Sequence, residues 1–72
     1  MNVAIKNQDE EKWICWMDIP EEDVLELVNH YLYDDCANAQ EVTVHVWEDG
    51  SATPDAVRDA AQNDKVEMHG KG

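Results

Sequence analysis

Two cysteines, three histidines and a large surplus of carboxylates are the residues of this 72-residue chain that could do chemistry. Cys15, Cys36, His30 and His45, or His30 with Asp34 one helical turn on, are donor types that zinc accepts. Zinc needs them to converge tetrahedrally on one point. Their spacing matches no finger or ribbon and no Cys-x-x-Cys pair is present, so two reduced, packed thiols are expected, with no metal and no cofactor. A cysteine and a histidine can also begin a nucleophilic enzyme, yet that chemistry needs a base in reach, an orienting group and an oxyanion site. The chain carries no signature for that set. Carboxylate pairs suited to acid and base work are so abundant that no single pair is informative, and a non-enzymatic protein is expected.

The carboxylates have a second use, which is to present charge. Glu22 and Glu26 are four residues apart, about 6 Å along a helix, close to two phosphate steps of about 3.4 Å along a nucleic-acid strand. Such a face can imitate a phosphate backbone, and it can equally be a solvated helix surface. Glu21, Glu22, Glu26, Asp34 and Asp35 on one element and Glu48 and Asp49 after another form the candidate partner-binding set. Trp47 joins them as a candidate apolar anchor, because tryptophan is enriched among interface hot spots. The alternative for Trp47 is that it closes the second face of a sheet beneath a short helix.

These residues need elements to position them. Residues 18 to 35 hold the one long stretch with helical periodicity: Val24, Leu25, Leu27, Val28, Tyr31 and Leu32 form an apolar stripe, and Glu22, Glu26, Asn29, His30 and Tyr33 take the other side. Pro20 and the acids at 21 to 23 suit a helix start, whereas Asp34 and Asp35 oppose the dipole at its end, so fraying near Asp35 and a finish around Asn38 are expected. Val3 and Ile5 alternate weakly over residues 2 to 7. Residues 12 to 18 are apolar on both faces, with Trp13, Cys15 and Met17 against Ile14 and Trp16; a short helix fits the same letters, but the aromatics and the proline after Ile19 favour a covered strand. The two strands can pair as a hairpin across the acidic loop. Residues 41 to 48 are the clearest strand, with Val42, Val44 and Val46 expected inward and Thr43, His45 and Trp47 on the other face. Asp49-Gly50 marks a turn, Thr53 an N-cap, and Pro54 the first position of a thin helix through about Gln62. Val66 and Met68 suit a brief edge strand.

The expected fold is therefore α+β: a small two-layer domain with a three- or four-stranded sheet packed on one long helix, and a short second helix. One domain spans residues 1–69, with 70–72 a flexible tail. If strands 12 to 18 and 42 to 48 are neighbours, the long helix is a right-handed crossover between parallel strands.

Charge narrows the partners. Seventeen acidic against five basic side chains give a formal net charge of −12, which costs a small domain stability through self-repulsion. Direct binding to nucleic acid or an anionic bilayer is disfavoured, because lysine and arginine drive phosphate contact. The first residues lack the apolar run of a signal peptide and no segment nears the roughly 20 apolar residues of a membrane span, so a cytoplasmic location is expected. In size, acidity and absence of motifs the chain resembles small phage-encoded proteins that inhibit host nucleic-acid machinery, among them inhibitors of RNA polymerase, nucleases and CRISPR complexes. The resemblance covers general character across the whole chain and transfers no residue role. It implies a stoichiometric inhibitor that occupies the basic surface of a nucleic-acid-handling protein, with RNA polymerase the first target. Two other readings remain: a small metal or redox protein using Cys15, Cys36 and the histidines, and a self-associating accessory domain whose acidity confers solubility.

Overall fold

The computed structural model describes residues 1–34 and 41–71, with side chains through His69. Strands β1 (Asn2–Asn7) and β2 (Trp13–Met17) form an antiparallel hairpin, with Val3 opposite Trp16 and Ile5 opposite Ile14. Helix α1 (Glu21–Asp34) follows, then strand β3 (Val42–Trp47), helix α2 (Asp55–Gln62) and strand β4 (Val66–Lys71). The sheet runs β3-β1-β2-β4, a mixed four-stranded sheet with one long and one short helix, and the fold is α+β as its sequence implies.

The strand order corrects one conditional expectation. β2 and β3 do run parallel, but β1 lies between them and pairs antiparallel with both, so α1 is a crossover that skips a strand. β4 pairs parallel with β2 at the far edge. The two crossovers, β2 to β3 and β3 to β4, therefore travel in opposite directions along one sheet. Connections of the same right hand must then lie on opposite faces. Side chains agree: Tyr31 of α1 meets Trp16 on one face, while Val57 of α2 joins Ala4, Trp13, Cys15 and Trp47 on the other. The short helix thus supplies a cover that the long helix cannot.

β3 keeps the expected separation of faces: Val44 and Val46 lie opposite Ile5 and Val3 on the α1 side, and Trp47 closes the second face beneath α2, the alternative reading of that residue. Val42 and Val44 are only partly covered and Val46 is 43% exposed, whereas Trp47 is 9% exposed within the α2-side core. Period two separates the faces correctly, and the indole, with more apolar area to bury than a valine, packs with Val57 of α2 at the end of the strand. Beneath α1 the strongest burial is on the central strand, where Val3 and Ile5 are fully enclosed. No side chain of α1 is itself fully buried.

Loops and ends show how local chemistry fixes the elements. Asp18 has φ 60° and its N–H donates to the buried Asn2 side chain at 3.1 Å, which turns the chain from β2 into α1. Gly50, at φ 85°, occupies the expected turn after Asp49, closed by a Ser51 N–H to Glu48 carbonyl bond of 3.1 Å. Pro54, not Thr53, caps α2, and it does so with its carbonyl because no side-chain cap bond forms. At the other end the Lys65 N–H reaches the Ala60 carbonyl (2.8 Å) and the Asp64 N–H the Ala61 carbonyl (3.2 Å), a Schellman pair around left-handed Asp64, φ 58°. β4 continues through Lys71, two residues into the stretch expected as a tail, with one extra residue opposite the interval from Cys15 to Met17. The expected helix finish at Asn38 lies outside the described residues.

Candidate protein-binding surface

α1 carries Glu21, Glu22, Asp23, Glu26 and Asp34 and no lysine or arginine. Its 3.6-residue repeat aligns Glu22, Glu26, His30 and Asp34 in one exposed row, each a turn from the next. Acids in the first turn complement the helix dipole; Asp34 opposes it in the last turn, and His30 Nδ1 lies 2.6 Å from its carboxylate.

This row has different ground on either side. On one flank, Leu25 is 70% and Tyr33 81% exposed, with Asn29 between them at four-residue spacing. Together with the acidic row they line an open depression of about 660 Å³. On the other flank lies a groove of about 580 Å³ between α1 and the β4 side of the sheet, walled by Trp16, Leu27, Tyr31 and His69 and edged by Asp23 and Glu26. Trp16 is half-buried there, its ring centroid 5.0 Å from that of Tyr31 in an edge-on arrangement and 5.4 Å from that of His69. The extra residue in β4 falls opposite this tryptophan.

The expected binding set separates into parts. Glu22, Glu26 and Asp34 share the exposed row. Glu21 lies at the start of α1 beside Glu48, Asp49 and Asp18, around a second depression that also includes Met1. There the N-terminal ammonium donates to the Ile19 carbonyl at 2.8 Å and to Asp49 at 3.3 Å, so part of the local charge is already answered. Glu21 and Asp34 are thirteen positions apart, about 20 Å of helix, and the two ends face different neighbours. Trp47 belongs to the core and is withdrawn as an anchor, for the packing reason given above. Asp35 lies outside the described residues.

On α1, Leu25 and Tyr33 are the large exposed side chains that the charge-based set omits. Periodicity puts Leu25 in the inward stripe, but its helical position sits at that stripe's margin, which periodicity alone does not resolve. Tyr33 falls on the polar side, where its aromatic character is the available signal.

Among the described residues the possible metal donors are dispersed. Cys15 is 2% exposed in the α2-side core, where burial pushes its thiol above its ordinary pKa, while His30 stands on the outer face of α1 across the sheet. His45 lies against Trp13 with the rings tilted by 38°, centroids 5.4 Å apart. Among the described residues, no three His, Cys, Asp or Glu side chains group to hold a metal ion. Cys36 lies outside them. Among the described residues, no helix is long and apolar enough to cross a membrane.

No protein-family model, curated protein or solved structure matches this chain.

Proposed function

We propose that this protein is a non-enzymatic inhibitor or regulator that acts in the cytoplasm by laying the outer face of α1 on the basic surface of a nucleic-acid-handling protein. RNA polymerase is the first target to test. One observation carries the reading: the Glu22, Glu26, His30, Asp34 row adjoins two large, exposed apolar side chains, Leu25 and Tyr33, on the same face. Charges at a rim steer encounter and set salt sensitivity, whereas desolvated apolar anchors set the rate of release. A merely solvated helix needs the first but not the second. Leu25 and Tyr33 assume the role that Trp47, buried in the core, cannot fill. The resemblance in character to phage-encoded inhibitors points the same way.

The test is binding to purified bacterial RNA polymerase, followed in real time at low and high salt with DNA as competitor. Glu22→Gln with Glu26→Gln should slow association and flatten its salt dependence. Leu25→Ala with Tyr33→Ala should speed release by the equivalent of about 2 kcal/mol. Affinity indifferent to salt, with no competition from DNA, would rule out the basic-surface reading for this target.

One observation supports self-association as the second reading. β3 is a sheet edge whose Val46 is 43% exposed, and β3 carries no lysine or proline to discourage pairing with another strand. Sedimentation equilibrium distinguishes the two: a concentration-dependent dimer abolished by Val46→Lys would favour the edge over the helix.

A further inference from the structure

Three rings from three different elements meet in the groove between α1 and the β4 side of the sheet: Trp16 from β2, Tyr31 from α1 and His69 from β4. A half-buried tryptophan in an open groove offers π surface to an incoming group, and the negative face of the ring attracts a cation. Asp23 and Glu26, three residues apart on α1, place carboxylates on the same groove, and among the described residues no lysine or arginine lines it. An aliphatic side chain would cover the rings but leave those carboxylates unanswered. A lysine ammonium would answer the charge but is a compact, strongly hydrated ion with little area to stack. A guanidinium is planar, weakly hydrated and forked, so it can lie against an aromatic ring while its edge donates to a carboxylate.

We propose that this groove is a receptor for an arginine side chain carried on a basic segment of the partner protein. The inference rests on the basic-surface reading and deepens it, because Glu26 and His30 belong both to the groove and to the depression beside Leu25 and Tyr33. One partner surface then meets the row from two sides. Apolar contacts fall on the Leu25 flank, and an arginine enters on the Trp16 flank.

The experiment uses the full chain labelled with ¹⁵N and three short peptides at low salt, identical but for arginine, lysine or citrulline at the basic positions. The readout is the set of tryptophan indole N–H resonances and the affinity. Trp13 and Trp47 are buried on the opposite face, so they serve as internal controls. The arginine peptide should shift the Trp16 indole and leave the other two in place, the lysine peptide should bind several-fold more weakly, and citrulline should not bind. Trp16→Leu should weaken arginine binding by about fivefold, the equivalent of one cation–π contact. Asp23→Asn with Glu26→Gln tests the charge separately at exposed positions, and should bring arginine affinity close to that of citrulline. If both basic peptides bind equally and move resonances of Leu25 and Tyr33 but not of Trp16, the groove proposal falls and the acidic-face reading stands. If neither basic peptide binds at low salt, both fall.

Discussion

Asn2 is a buried polar side chain whose amide oxygen accepts the N–H of Asp18, the residue that turns left-handed between β2 and α1. Removing that acceptor leaves a part-buried backbone donor unmatched, a loss of about 1–2 kcal/mol, so Asn2→Ala should lower the urea midpoint accordingly. A change below a few tenths would mean that water replaces the side chain without cost. Cys15 offers a second test with a definite sign. Burial raises its thiol pKa above the ordinary value of 9.0, so the folded chain holds a proton that the unfolded chain releases. The contribution to stability is intact below that ordinary value and is lost as pH rises through the folded one. Other groups titrate in the same range, and Cys15→Ala isolates the effect: the gap in unfolding free energy between wild type and variant should narrow or reverse from neutral to strongly alkaline pH. Alkylation of Cys15 at neutral pH should be slow and should accelerate on unfolding, because the reagent needs an exposed thiolate.

At the scale of elements, α2 shows how a helix with little apolar area is held. Val57 is its one fully buried side chain, inserted among Ala4, Trp13, Cys15 and Trp47. Val57→Ala should destabilise by about 2 kcal/mol, from two lost methyl groups and the space they leave. Leu25→Ala on α1 should change stability by less than about 0.5 kcal/mol, since Leu25 is 70% exposed, and that silence makes it a clean probe of binding. Asp64 ends α2 in a left-handed conformation that glycine adopts freely. Asp64→Gly should therefore stabilise by about 0.5–1 kcal/mol, and Asp64→Asn, which removes only the charge at the negative helix end, by a few tenths. Thermal melts of the three chains check the order.

These elements also show what was legible in the sequence. Periodicity located the long helix, the β1–β2 hairpin and the valine strand, because each spacing rule is local. It separated Trp47 from the valines but could not say whether the Trp47 face is covered, since that depends on α2 returning across the sheet from residues far along the chain. The candidate site was legible as charge on α1. Its groove was not, because Trp16, Tyr31 and His69 meet only once the β4 edge pairs with β2 in parallel.

For the whole molecule the decisive quantity is a net charge of −12 on 72 residues. Among the described residues the ion pairs are few and largely exposed: the Met1 amine with Asp49, and Arg58 with Asp55. Surface pairs of this kind offset little, so most carboxylates repel one another without compensation. Screening should then stabilise the fold. Raising sodium chloride from about 50 mM to about 500 mM shortens the Debye length from roughly 14 Å to roughly 4 Å, below the spacing of most surface charges. The melting temperature should rise, by about 4–8 °C for each kcal/mol of repulsion removed in a domain of this size. The same salt should weaken binding to a basic partner, because it screens the attraction that steers the encounter. Stability and affinity thus have opposite salt dependence if the acidity serves an interface at the expense of the fold. A melting temperature flat across this range would show that the acids are spaced widely enough to coexist without strain. Acidity would then need no partner to account for it, and Leu25, Tyr33 and the Trp16 groove would have to support the binding reading alone.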